Sequence, residues 1–156
     1  KWAQIQAAYE LVKRCLQESV CQQAIFSSST QVREFLQAKI ARLEHEVFLC
    51  LYLDASNRLI ECQELFRGSI DRTAIYPREI IKESLNRNAC ALVVAHNHPG
   101  GNPLPSPADE LITQELCQAL HWVNIVLLDH CIVAKHGFFS FSDAGLLNRG
   151  LKDSNH

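Results

Sequence analysis

The sequence predicts an α/β fold, a β-sheet covered by helices and preceded by a helical lead-in. Three observations carry that prediction. Apolar residues recur at helical spacing through the first third of the chain, the period switches to extended runs at Glu46, and from there strand-like and helix-like stretches alternate. At 156 residues, 47% hydrophobic and 21% charged, the chain has the size and balance of one globular domain with a real core.

The elements follow in order. Trp2, Ile5, Tyr9, Val12 and Leu16 alternate spacings of three and four, which predicts an amphipathic helix to about Glu18. Ser28 with Gln31 fits a capping box, and Val32, Phe35, Leu36, Ile40 and Leu43 continue as a second helix. Val47 to Leu53 is nearly all apolar, Asp54-Ala55-Ser56-Asn57 has turn composition, and Leu59 to Phe66 is again extended, so the three form a hairpin. Pro77 opens a helix over Arg78 to Asn86. Ala89 to Ala95 is an unbroken apolar run, as expected of a strand covered on both faces, and His96 stands at its end. Ser106-Pro107-Ala108-Asp109 starts a helix whose Ala108, Leu111, Ile112, Leu116, Ala119 and Leu120 share a face. Val123 to Ala134 reads as one or two buried strands, Lys135-His136-Gly137 as a turn and Phe138 to Phe141 as a closing edge strand. Past Asp143 the polar tail is expected to fray. The chain thus divides into a helical lead-in over 1–44, a main domain over 45–148 and a disordered tail over 149–156.

Composition narrows the function. The net charge is -2, and Lys and Arg are spread rather than clustered, which disfavours DNA as a partner. Seven cysteines, at 15, 21, 50, 62, 90, 117 and 131, form no CxxC pair and sit mostly in apolar runs, so they read as reduced core residues of a cytoplasmic protein. No run approaches the roughly 20 apolar residues that span a bilayer, and no signal peptide opens the chain. The absence of methionine and the start at Lys1 are expected of a fragment.

The chemistry concentrates in one stretch. His96-Asn97-His98 leads into a Pro/Gly loop, followed after seven intervening residues by Ser106 and, after two more intervening residues, by Asp109. Two imidazoles and a carboxylate, carried by the ends of two regular elements, make the three-ligand set of a catalytic zinc with its fourth position left to water. Zinc lowers the pKa of that water toward about 7 and polarises the carbonyl under attack. A general base must move the water's proton, and Glu46 and Glu44 both stand at the mouth of the first strand; periodicity does not choose between them. Ser106 suits an oxyanion donor, a role whose loss costs about 3 kcal/mol. It equally suits a helix N-cap, since Ser, then Pro, then an acidic residue in the first turn is ordinary helix-start grammar. A His-x-His pair on such a loop has no packing reason to exist, and the bland alternative is a solvated loop with accidental histidines. Asp129-His130 interrupts an apolar strand, as a satisfied core pair or as support for the site. Arg78 at a helix start is a minor candidate for substrate contact, and His45, His121, His136 and His156 are assigned no role.

Ala95-His96-Asn97-His98-Pro99-Gly100-Gly101-Asn102-Pro103, continuing through Pro105-Ser106-Pro107-Ala108-Asp109, resembles the signature of RadC-like proteins of the JAMM (MPN-plus) metalloprotease superfamily. Glu46-Val47-Phe48, Leu65-Phe66-Arg67-Gly68-Ser69-Ile70, Tyr76-Pro77-Arg78-Glu79-Ile80 and Leu128-Asp129-His130-Cys131-Ile132-Val133 are similar to further landmarks, in the expected order. Gly100 departs from the serine usual after the His-Pro step, with no ligand changed. The resemblance implies a mixed sheet flanked by helices, of the cytidine-deaminase-like type, and a zinc ion (Zn2+) on His96, His98 and Asp109. It further implies Glu46 as base, in preference to Glu44, with Ser106 steadying the intermediate. It points to a zinc metallopeptidase or isopeptidase acting on a protein or peptide; apart from the resemblance, the sheet edges and amino-terminal helices leave a homo-oligomer open, and the lack of a long apolar run speaks against a membrane partner. Residues 1–8 are similar to the stretch that follows a helix-hairpin-helix domain in longer members. The family also carries a DNA-repair label, so the alternative is a repair-associated accessory protein with a structural or vestigial metal. Two histidines and a carboxylate describe a non-haem iron triad as well, but a separate glutamate and a helix-start serine favour hydrolysis.

Overall fold

The computed structural model describes residues 2–8, 28–68 and 76–147. Residues 2–8 are helical (α1) and exposed; Tyr9, Val12 and Leu16, which complete the expected amphipathic face, lie outside the described residues, as does the tail over 149–156. Helix α2 (Ser29–Ile40) begins at Ser28, whose side chain accepts from the Gln31 N–H. The remaining elements are β1 (Val47–Leu53), β2 (Leu59–Arg67), α3 (Pro77–Asn86), β3 (Ala91–Asn97), α4 (Pro107–His121), β4 (Val126–Ala134) and β5 (Gly137–Ser140).

The five strands form one mixed sheet in the order β2-β1-β3-β4-β5, with β3 and β4 parallel and the other pairs antiparallel. The expected hairpin joins β1 to β2, and its turn is closed by Asp54 Oδ1, which accepts from the N–H groups of Ser56 and Arg58, with Asn57 at positive φ. The right-hand half is a β-α-β crossover in which α4 carries the chain from β3 to its parallel neighbour β4. The Val123 to Ala134 stretch thus holds a single strand, which starts at Val126 and is buried throughout only from His130 onward.

All seven residues of β1 and of β3 are buried, because the sheet is covered on both faces. The pleat sends alternate side chains to two separate cores. Leu49, Leu51, Val93, Ala95, Cys131 and Val133 pack under Val32, Leu36 and Ile40 of α2. Phe48, Cys50, Tyr52, Leu92, Val94 and Ile132 pack under Ile80 of α3 and Leu116 and Leu120 of α4. At about 25 cal/mol per Å² of apolar surface removed from water, these two layers are the main source of stability.

Two expectations need correction. Residues 144–147 do not fray: Leu147 joins the α3/α4 core, Cys117 Sγ donates to its carbonyl, and Leu146 N–H donates back to the Phe141 carbonyl. The apolar pair Leu146-Leu147 supplies the burial that a polar tail lacks. Among the described residues five cysteines are free thiols, but Cys90 is exposed rather than in the core, because it precedes β3 in the loop from α3. Burial pushes the Cys50 thiol up to about 12, consistent with an inert core residue.

Candidate metal centre

His96 and Asn97 are the last two residues of β3, and His98 starts the loop beyond it. The pleat places His96 on the α3/α4 face with Leu92 and Val94, and Asn97 on the opposite face. Phe48, the β1 partner of His96, stacks on its ring with centroids 5.9 Å apart and planes 8° from parallel. Ser106 is the N-cap of α4 and Asp109 its third helical residue; together they close a capping box. The cap uses one carboxylate oxygen: Asp109 Oδ2 accepts from the Ser106 N–H and hydroxyl, both at 2.7 Å, and Ser106 Oγ accepts from the Asp109 N–H at 3.2 Å. The other oxygen, Oδ1, faces His96 Nε2 at 3.2 Å.

Among the described residues, His96, His98 and Asp109 form a group able to hold a metal ion. His96 Nε2 and His98 Nε2 are 3.0 Å apart, and His98 Nε2 is 3.7 Å from Asp109 Oδ2. Zinc bonds of about 2.0–2.1 Å in a tetrahedron put ligand atoms about 3.3 Å apart, so the spacing fits that ion. The donor set fits too. His98 Nδ1 lies 2.8 Å from the Asn102 carbonyl, which only accepts, so the ring proton sits on Nδ1 and Nε2 offers a lone pair. Two imidazole nitrogens and a carboxylate oxygen at this distance repel unless a metal cation or a bound proton lies between them.

Burial alone would raise the Asp109 carboxyl. Hydrogen bonding and attraction from His96, with the two Ser106 donors, outweigh it and hold the group well below the usual carboxylate range. This carboxylate is ionised at neutral pH. His130 is wholly buried beside His96, and burial first, then the neighbouring histidines, pushes it well below its ordinary value.

The remaining expected site residues are placed as follows. Glu46 immediately precedes β1, half-buried, with its carbonyl accepting from the Gly68 N–H at 2.9 Å. It stands one residue outside the strand, and Glu44 is exposed. Ser106 Oγ sits against the ligand Asp109 and spends its proton on that carboxylate. Arg78 is 87% exposed and pairs with its neighbour Glu79, away from any described ligand contact. Asp129 and His130 separate: Asp129 accepts from Ser140 Oγ and Ser142 N–H on the α2 side, while His130 enters the metal face.

Three residues of the site carry no signal that singles them out in the sequence. Asn97 is buried between the two histidines and clamps the loop carrying Glu46: its Oδ1 accepts from Val47 N–H, and its Nδ2 donates to the Leu43 and His45 carbonyls. Asn102 fixes the His98 ring through its carbonyl. Thr113 bridges Asp109 and His130; its position one helical turn after Asp109 is the nearest thing to a signal.

A mixed α/β sheet thus presents a His-x-His pair at the carboxyl end of a central strand, and an aspartate from the first turn of the next helix, as a domain able to hold a metal ion there. A family model described as RadC-like JAB domain matches residues 26–146. The chain is 52% identical over 148 residues to a UPF0758 protein of Aromatoleum aromaticum, covering 94% of this chain and 66% of that one. It is 44% identical over 147 residues to a UPF0758 protein of Leptothrix cholodnii (94% and 66%) and 46% identical over 143 residues to one of Cupriavidus necator (92% and 63%). The chain belongs to the RadC-like family of JAB domains. It spans about two thirds of the length of these relatives. Among the described residues no helix is long and apolar enough to cross a membrane.

Proposed function

We propose that this domain is a zinc-dependent hydrolase of amide bonds, a metallopeptidase or isopeptidase acting on a protein or peptide. One observation supports the reading above others: His96 Nε2 lies 3.0 Å from His98 Nε2 and 3.2 Å from Asp109 Oδ1, and His98 Nε2 lies 3.7 Å from the same carboxylate, a spacing close to that of zinc ligands. Zinc bound there supplies a water acidified toward a pKa of about 7 and a Lewis acid for the substrate carbonyl. The protein's own residues do the rest. Glu46 takes the proton from the attacking water and returns it to the leaving amine. Ser106 turns its hydroxyl from Asp109 Oδ2 to the developing oxyanion, while the Ser106 N–H stays on that carboxylate oxygen. Asn97 holds the Glu46 loop against the ligand strand.

The test is zinc content of the purified protein, wild type against His98→Ala, with hydrolysis of fluorogenic linear and isopeptide-linked peptides by Glu46→Gln. Stoichiometric zinc lost in His98→Ala, and zinc retained with hydrolysis abolished in Glu46→Gln, are the expected results. Equal zinc in both proteins, or full activity in Glu46→Gln, removes the mechanism. Salt-sensitive DNA binding that survives loss of the ligands would favour the accessory-protein alternative instead.

A further inference from the structure

Behind His96 the polar contacts form a single line. Thr113 Oγ1 lies 2.5 Å from the main-chain carbonyl of Asp109 and 2.6 Å from His130 Nδ1, and His130 Nε2 lies 3.0 Å from His96 Nδ1. Thr113, His130 and His96 are each no more than 1% exposed, so water is excluded from the line. His130 is gripped between aromatic rings, stacked on Phe141 at 4.9 Å and edge-on to Phe48 at 5.8 Å.

We infer that Thr113 and His130 are positioning residues that order the protons behind the metal centre, fixing His96 with its proton on Nδ1 and its Nε2 lone pair toward the cation. The assignment follows from donor and acceptor counting. A carbonyl only accepts, so the one hydroxyl proton of Thr113 points at Asp109 O. The hydroxyl oxygen then accepts at its second contact, and the proton there belongs to His130 Nδ1. His130 Nε2 is therefore bare and accepts, and the proton between the two rings belongs to His96 Nδ1. The reverse order would set a hydroxyl oxygen against a carbonyl oxygen at 2.5 Å with no proton between them. Asp109 thus acts twice: its carboxylate is a ligand, and its carbonyl anchors the line that orients the neighbouring ligand. Outer partners of this kind typically govern metal affinity by about 10–100-fold.

The inference deepens the zinc reading and rests on it for its consequence, but its proton order can be read without metal. Histidine 15N NMR on the metal-free protein reports which ring nitrogen carries hydrogen, and competition with a chelator reports zinc affinity; neither needs a substrate. The wild type is expected to show His130 protonated on Nδ1 and bare at Nε2. Thr113→Val, similar in shape without the hydroxyl, should bind zinc about 10–100-fold more weakly. Thr113→Ser, which restores the hydroxyl, should bind like the wild type. His130 carrying its proton on Nε2 in the wild type overturns the inference, as does wild-type zinc affinity in a folded Thr113→Val. If Thr113→Val fails to fold, the wild-type spectrum still decides. A wild type with the expected His130 form but no affinity for zinc upholds the proton order and removes the hydrolase reading.

Discussion

Asn97 Oδ1 accepts from the Val47 N–H at 2.8 Å, tying the end of the strand that carries His96, one residue before His98, to the first residue after Glu46. The Asn97 amide also donates to the Leu43 and His45 carbonyls, at 3.3 and 3.0 Å, and its side chain is buried. Asn97→Ala strands a buried donor and two acceptors, and a cost of about 2 kcal/mol or more is expected, read as a lower denaturation midpoint. Asn97→Asp should be at least as damaging, because it sets a carboxylate oxygen against two carbonyls. A milder effect of the aspartate would show that the amide donors contribute nothing.

Gly137, at the start of β5, lies beneath the metal-site loop. A Cβ there would meet Pro103 Cγ at 2.7 Å and Cδ at 3.1 Å, and a proline ring cannot swing aside. Gly137→Ala should therefore push the 102–105 segment outward and loosen the 2.8 Å contact between His98 Nδ1 and the Asn102 carbonyl. Zinc affinity is expected to fall, by up to about tenfold, with little change in the secondary structure seen by circular dichroism. Unchanged affinity would show that the loop yields without moving His98.

The ligands are legible in the sequence because each rides on a local pattern. A His-x-His pair ends an apolar strand run, and a serine, a proline and an aspartate open a helix. The strands are legible for the same reason, and only their ends move: β3 runs to Asn97, so His96 belongs to the strand and inherits its pleat. The residues behind the ligands are not legible. Asn97 meets Val47 across 50 positions and His96 meets His130 across 34, contacts made by strand neighbours that no local spacing encodes. Asp129 and His130 read along the chain as one pair, although adjacent strand residues point to opposite faces. In the structure the first turns toward Ser140 and the second toward His96.

Two cores on opposite faces of one sheet allow stability and metal binding to be separated. Leu36 is fully buried in the α2 layer, whereas the ligands belong to the α3/α4 layer. Leu36→Ala should lower stability by about 3 kcal/mol through lost burial and the cavity left behind. At a temperature where the variant is folded, its zinc affinity should match the wild type. Parallel loss of both would mean that the sheet transmits strain from one face to the other.

Asp129 gives the pH dependence a sign. Burial raises its carboxyl above the ordinary 3.8, and the donors Ser140 Oγ and Ser142 N–H offset only part of that. The folded state therefore holds this proton to a higher pH than the unfolded chain. Stability linked to it is fully present below pH 3.8 and is lost as pH rises from there through the raised folded value. The side-chain amide introduced by Asp129→Asn keeps an acceptor for the Ser142 N–H and carries no charge. That variant should thus lack this decline and gain on the wild type as pH climbs from about 4 toward neutrality. Thermal melts of both proteins across that range check the point, and parallel curves would place the Asp129 proton at its ordinary affinity.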